Sequence, residues 1–415
     1  MPKTSIIAAI LAGVALFATG CASAPPSKAP GVKPTGDPLA DGRARLAAAP
    51  AKDKVLWQYR LAAATLRRGE PDAAKPHLDA ALATAAANYG NVNAEAAKSR
   101  RVFRRESDKP FIGEPHERAM ANYYRAILYW RDGEPDNARA LLRTASLIDS
   151  DAADKTRAGD YILFDYLEGL ATVKLGGDGS DALARAQASA AAQNRPAPPP
   201  YDPQANVLCF VEHGKGPYKR TRAPHNSLLF YVPGEANRIA TMRLEVAGRV
   251  LDLPTYDDIV YQAATHGARE MDKVLRNKAK LKDAANVATA AAIAPVYLLG
   301  ALTHNSSSEK ITFEDGVAKL LLAAPFLGLG LASHVLSGSI HTAADTRQWD
   351  NLPRYLSFGA LRLPPGEHPA TLLFIDGEGV VLFRETQRFT ITVPAPPATG
   401  EAPRDVVIYR SQLTQ

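Results

Sequence analysis

The sequence of 415 residues has few cysteines, little net charge and none of the short motifs that announce an enzyme. Its two cysteines, Cys21 and Cys209, stand in unrelated settings, which excludes a disulfide framework. The formal charge of +6, on a chain with 22% charged residues, is too small to demand nucleic acid, and no nucleic-acid partner is expected. No Gly-x-Ser-x-Gly appears, so the nucleophile elbow of the serine hydrolases is missing. The nine histidines are scattered, and "HER" at His116 lacks the second histidine of a zinc-protease helix. "EHGKGPYKR", from Glu212, lacks the spacing and the hydroxyl residue of a phosphate loop and reads as a strand-to-strand turn. "DSDAAD", from Asp149, lacks the central glycine and terminal glutamate of a calcium loop and reads as a helix-capping turn. On this reading there is no catalytic residue, no metal site and no cofactor, and the protein is not an enzyme.

What is present begins at the N-terminus. Lys3 precedes an apolar stretch from Ile6 to Gly20 that is too short to span a bilayer, so residues 1–20 read as a secretory signal peptide. Ala18-Thr19-Gly20-Cys21 looks like a bacterial lipobox, in which Cys21 is lipidated and becomes the first mature residue; Ala18 departs from the usual leucine. Ala22 at the second mature position resembles sorting to the outer membrane, with the protein on its periplasmic side. Acyl chains anchor by burying methylenes, so the first expected partner is a membrane. Residues 21–38 are rich in proline, alanine and glycine and read as a tether. Cys209, within "NVLCFV", reads as a buried strand residue.

From 39 to 195 the pattern is helical, and alanine dominates it. "LRRGEPDAAKPHLDAA", from Leu66, nearly recurs as "YWRDGEPDNARALLRTA", from Tyr129. In each copy a glycine, Gly69 or Gly133, stops one helix, and Pro71 or Pro135 opens the next. Ala62, Ala74, Leu78 and Ala81 correspond to Ala126, Ala138, Leu142 and Ala145, the small residues allowing close helix approach. A third, degenerate copy aligns on Gly177, with Ala182 and Ser189 in the matching places but Ala186 where the other copies have leucine, and an atypical unit is expected between the first two. This spacing resembles the tetratricopeptide repeat and predicts an α-solenoid.

"QNRPAPPPYDP" marks a proline-rich linker at 196–203, after which the pattern turns to short strands. Segments 204–255 and 342–393 predict a small β-sandwich or barrel from "NVLCFVEHG", "NSLLFYV", "ATMRLEV", "ALRLPPGEH", "ATLLFI" and "VVLFRE". "FIDGEGVV" is expected to form a hairpin turn in which Gly377 takes positive φ. Between them, 256–341 reads as a helical insertion with two uncharged stretches, from Ala284 to Ser308 and from Leu320 to Ile340. Each is near the length of a membrane span but holds proline and polar residues. A helical hairpin packed on the sheet or buried in an oligomer is favoured over a bilayer-inserted one. The tail, 394–415, holds one further strand candidate. The whole is a multidomain α + β chain.

The geometry of tetratricopeptide stacks puts Tyr59, Ala63, Tyr123, Ile127 and Trp130 near a partner-binding groove. Lys98, Arg100, Arg101, Arg104 and Arg105 form a tight basic cluster, a solvated loop that could also meet an anionic surface. Together the lipobox, "KPFIGEPHERAMANYYRAILYWRDGEPDNARALL", "VEHGKGPYKR" and "ADTRQWDNLPRYLSFGALRLPPGEH" resemble a family of uncharacterised bacterial lipoproteins with tetratricopeptide-like N-terminal halves. The resemblance implies a neighbourhood shared with lipoproteins that help activate penicillin-binding proteins, and no reaction. The expected function is an acyl-anchored periplasmic scaffold whose groove binds an envelope or cell-wall protein. Its rival is a membrane-inserting or secretion-associated oligomer built on the apolar stretches.

Overall fold

A computed structural model describes residues 33–90, 109–150, 160–222, 228–235, 238–266, 345–396 and 404–413. The chain divides into two compact units, Met1–Ala48 and Ala49–Gln415. In the first, helix α1 (Pro38–Ala48) starts with proline at its first position, and Asp37 Oδ1 accepts the Leu39 N–H at 3.0 Å.

In the second unit a 3₁₀ turn (Ala51–Asp53) leads into six helices: α2 (Lys54–Arg67), α3 (Pro71–Gly90), α4 (Pro115–Arg131), α5 (Pro135–Ser150), α6 (Ile162–Lys174) and α7 (Ser180–Ala192). They form three helix-turn-helix pairs whose turns are built alike. Gly69 (φ +78°) donates to Leu66 O and Glu70 to Thr65 O; Gly133 (φ +83°) donates to Trp130 O and Glu134 to Tyr129 O. Gly176 (φ +81°) donates to Val173 O and Gly177 to Thr172 O. This double bond pattern satisfies the last carbonyls of each first helix and requires a left-handed residue, hence the glycine. The third copy is therefore aligned on Gly176 rather than Gly177, with two further residues before α7. Its buried face is Ala182, Ala186 and Ala190, not Ser189. The eight corresponding positions of the first two copies are all 2% exposed or less. Residues 91–108, where an atypical unit was expected, lie outside the described residues.

Ten strands follow. Strands β1 (Val207–Lys215), β6 (Thr255–Asp258), β7 (Pro353–Leu361) and β10 (Val406–Ser411) form a sheet in the order β10-β1-β7-β6. A second sheet takes β4 (Ile239–Val246), β5 (Arg249–Leu253), β8 (Gly366–Asp376) and β9 (Gln387–Val393) in the order β5-β4-β8-β9. β2 (Tyr218–Arg222) and β3 (Leu228–Val232) pair as a hairpin. The strand candidate in the C-terminal tail is β10, which lies parallel to β1 from Val207↔Val406 to Glu212↔Ser411.

β1 is buried on both faces, and its period of two decides which residue meets which layer. Leu208 and Phe210 join the core formed with the helices, while Val207, Cys209 and Val211 join the core shared with the second sheet. The architecture is thus mixed α and β, with helices, sheet and sheet in three layers. Within the second unit, the helices of 54–192 and the strands of 207–361 are not independent bodies, because one hydrophobic core runs from Val55 to Phe358. Even the proline-rich 196–203 is packed: Tyr201 lies on Tyr166 at 5.0 Å, and a Cβ on Gly169 would stand 1.9 Å from the Tyr201 hydroxyl.

Three strand-level expectations are corrected. "VVLFRE" is no strand, since β8 accepts only the single bridge Ile375↔Val381 before the chain turns at Leu382–Glu385, leaving Phe383 exposed. "ALRLPPGEH" straddles the end of β7 and the start of β8. In the Asp376 turn, Gly379 and not Gly377 takes positive φ (+82°), with Asp376 Oδ1 accepting the N–H groups of Glu378 and Val380. β6 crosses the expected boundary at 256 and runs into helix α8 (Ile259–His266). The two uncharged stretches of the insertion lie outside the described residues. Among the described residues no helix is long and apolar enough to cross a membrane.

Candidate functional site

The first helices of the three pairs, α2, α4 and α6, turn one face toward the β10-β1-β7-β6 sheet. All five residues expected to line a groove sit on that face or at its end, and all are buried: Tyr59, Ala63, Tyr123, Ile127 and Trp130 are at most 4% exposed. Tyr59 stacks on Trp349 with ring centroids 4.6 Å apart, and Tyr123 stacks on Phe164 and meets the edge of Phe210. Trp130 Nε1 donates to Asp405 at 2.9 Å. The expectation of an open groove is therefore corrected. The chain's own strands fill it, because that apolar stripe is the surface on which the sheet buries its inner side chains.

One extended segment, Asp345–Leu352, is held there as a bound peptide would be. Arg60 donates to Gln348 O at 3.0 Å and pairs with Asp350 at 2.8 Å, while Asn351 Nδ2 returns a bond to Arg60 O. The Trp349 N–H donates to Glu117, and Lys219 Nζ donates to Arg347 O at 2.9 Å. Arg347 reaches Asp53 at 2.6 Å and Lys109 O at 2.8 Å.

Among the described residues three carboxylates of this seam are at most 1% exposed, and each is answered by donors from other elements. Glu212 on β1 accepts from Arg67 Nε on α2 at 2.6 Å, Tyr124 on α4 at 2.6 Å and Ser411 on β10 at 2.8 Å. Glu117 accepts the N–H groups of Trp349 and Glu114. Burial pushes its carboxyl above the ordinary value, with Lys219 acting against that shift. Lys219 itself pairs with Glu114 at 2.7 Å. Asp257 on β6 receives the Ile162 and Leu163 N–H groups at 2.9 and 3.0 Å, capping α6 from another element. Burial lifts it to about 7 although both bonds hold it down. His213, beside Thr255, is pushed down to about 3 by burial and by the Arg354 guanidinium, and is neutral. These groups tie α2, α4, α6 and the sheet to one another.

At one end of the seam the molecule opens. Where α4 and α6 end and β1, β7, β9 and β10 are entered or left, a cleft of about 1160 Å³ lies among Trp130, Lys174, Asn206, Arg249, Arg362 and Arg404, with six prolines in its wall. Lys174 pairs with Asp405 at 2.7 Å and donates to Ala205 O. Arg249 donates to Arg362 O at 2.9 Å, and Arg362 donates to Gln204. The side chain of Arg404 lies over Gly133, where a Cβ would come within 2.9 Å of its Cδ and Nε. All three arginines are exposed, and among the described residues no carboxylate pairs with any of them. A recess of this size with fixed guanidinium forks suits carboxylate or phosphate ligands.

Cys21 and the cluster Lys98, Arg100, Arg101, Arg104 and Arg105 lie outside the described residues. Cys209 is buried, its thiol pushed up to about 12 by burial. "EHGKGPYKR" is a strand-to-strand turn in which Gly216 backs onto the carbonyls of Leu352 and Pro353. Sequence reasoning passed over Glu212 and His213, although two ionisable residues closing a continuously apolar strand signal buried polar partners. It also missed Arg249, Arg362 and Arg404, which only strand pairing brings together. No known family's model, no curated protein and no solved structure matches the chain.

Proposed function

We propose that the chain is an acyl-anchored, non-catalytic scaffold of the bacterial envelope, held by lipidated Cys21 on the periplasmic side of the outer membrane. In this reading a tetratricopeptide-like solenoid and a β-sandwich-like pair of sheets form one block, tethered through 21–38. The block binds an envelope or cell-wall protein. The cleft carries the proposal: the groove face is used internally, whereas Arg249, Arg362 and Arg404 surround a recess whose one carboxylate among the described residues, Asp405, is taken up by Lys174 and Trp130. The resemblance to lipoproteins with tetratricopeptide-like halves supports it. Tethering raises the local concentration of binder and partner, so modest affinity suffices and no reaction is needed.

Fractionation of cells expressing wild type and Cys21→Ala, with crosslinking and mass spectrometry of the membrane pool, tests this. The scaffold reading expects Cys21→Ala to become soluble and the wild type to crosslink to an envelope protein. Retention of Cys21→Ala in the membrane would instead favour the membrane-inserting rival, with the uncharged stretches between 284 and 340 as the anchor.

A further inference from the structure

We infer that the cleft takes an extended, carboxylate-rich segment of a partner polypeptide. The inference rests on the scaffold reading for the partner's being a protein; its chemistry comes from the cleft. Four cations and one carboxylate line it, and that carboxylate, Asp405, is already paired with Lys174 and bonded to Trp130 Nε1. Among the described residues, three guanidiniums are left without a carboxylate. Their placement is built: Arg249 is bonded to the backbone of Arg362, Arg362 to Gln204, and Arg404 rests on a glycine that leaves room for it.

The wall narrows the choice of anion. Prolines offer ring faces and carbonyls but no N–H, so among the described residues the charged donors left for an anion are the three forks. Small-ligand cavities run to about 1,000 Å³, and this open cleft exceeds that range. A planar lipid surface does not enter a recess. An extended chain does, and carboxylates spaced along it can each meet a fork bidentately. Proline-lined walls suit an extended backbone, which needs apolar contact along its length rather than base-stacking platforms.

The test uses the purified full-length lipoprotein in detergent and a fluorescent twelve-residue peptide of alternating glutamate and proline, read by anisotropy. A lysine-proline peptide of equal length, anionic phospholipid vesicles and a sulfated polysaccharide are the comparisons. The expected result is binding of the glutamate peptide that weakens several-fold from about 0.05 to about 0.3 M salt, with no binding of the lysine peptide. The variant Arg249→Gln/Arg362→Gln/Arg404→Gln should bind about tenfold or more weakly while keeping the wild-type melting temperature. A folded triple variant with undiminished affinity overturns the inference. So does equal or tighter binding of vesicles or polysaccharide that the same substitutions abolish. If the triple variant does not fold, photo-crosslinking of a benzophenone-bearing glutamate peptide to wild type decides: labels at Pro364 or Pro394 support the cleft, and labels elsewhere overturn it. Absence of peptide binding alongside an intact crosslink to an envelope protein in cells removes this inference and leaves the scaffold reading standing.

Discussion

The seam and the cleft are both rich in charge, yet they treat it in opposite ways. In the seam, Arg67 and Glu212 have side chains 6% and 2% exposed, and their nearest atoms are 2.6 Å apart. In the cleft, Arg249, Arg362 and Arg404 are exposed and, among the described residues, pair with no acid. A buried ion needs its partner within the chain, because solvation lost on folding is recovered only by close, directed donors. An exposed arginine has no such need and can wait for an external partner. The difference separates groups that hold the fold from groups that we propose meet an external partner, and it can be broken at either end.

The largest expected effect is at Glu212. Glu212→Leu leaves the Arg67 guanidinium buried without its carboxylate and strips acceptors from Tyr124 and Ser411. Unfolding in denaturant should show a loss of about 3–5 kcal/mol. Adding Arg67→Leu should restore a good part of that, because the uncompensated charge is what makes the single change costly. A double variant no better than the single one would show that the pair does not act as a unit.

Asp257 sharpens the same side by pH. Its carboxyl is raised to about 7 in the folded chain from an ordinary 3.8, so the folded state binds the proton more tightly than the unfolded one. Its contribution to stability is full below about pH 4 and is lost as pH rises through 7. His213 runs the other way: depressed to about 3 from 6.5, it contributes above pH 6.5 and its contribution is lost as pH falls toward 3. Relative to Asp257→Asn, wild type should therefore lose stability between pH 4 and 7 by an amount on the order of a few kcal/mol. Chemical denaturation of the two proteins at a series of pH values checks it. A flat difference across that window would contradict the assignment.

A smaller effect is expected where the proline-rich segment meets α6. Gly169→Ala forces the Tyr201 hydroxyl away from 1.9 Å and presses on Ala182, so thermal unfolding should show a loss of about 1–3 kcal/mol. Gly177→Ala meets Thr172 alone and should cost less. The contrast would establish that 196–203 is packed structure rather than a free linker.

The legible parts of this molecule were those decided locally. The turns at Gly69 and Gly133, the buried Ala62, Ala74 and Leu78, and the strand around Cys209 follow from propensity and period, which a sequence displays directly. The third repeat was misaligned by one residue because two glycines in a row, Gly176 and Gly177, both satisfy the local rule. What stayed hidden depends on pairing between distant segments. The aromatic stripe of Tyr59, Tyr123 and Trp130 has the composition of an interface, and it is one, but its partner is Trp349, Phe210 and Asp405 of the same chain. Composition cannot distinguish an internal from an external partner. Nor can it show that Arg249, Arg362 and Arg404, from three separate segments of the chain, share one recess.

The cleft end of the comparison predicts the smallest effect on stability and the clearest one on recognition. Arg362→Gln removes an exposed guanidinium whose bond to Gln204 is itself exposed, so the unfolding midpoint should move by no more than about 0.5 kcal/mol equivalent. On the proposed scaffold reading, the same substitution should reduce crosslinking to an envelope protein in cells, with Arg249→Gln and Arg404→Gln deepening the loss. Tyr59→Ala should do the reverse: it removes the ring stacked on Trp349, lowering the midpoint strongly while the fraction that remains folded still crosslinks. If Arg362→Gln destabilised the protein as much as Tyr59→Ala, the cleft would be part of the internal framework. The distinction between charges that hold the fold and charges that face outward would then fail where it matters most.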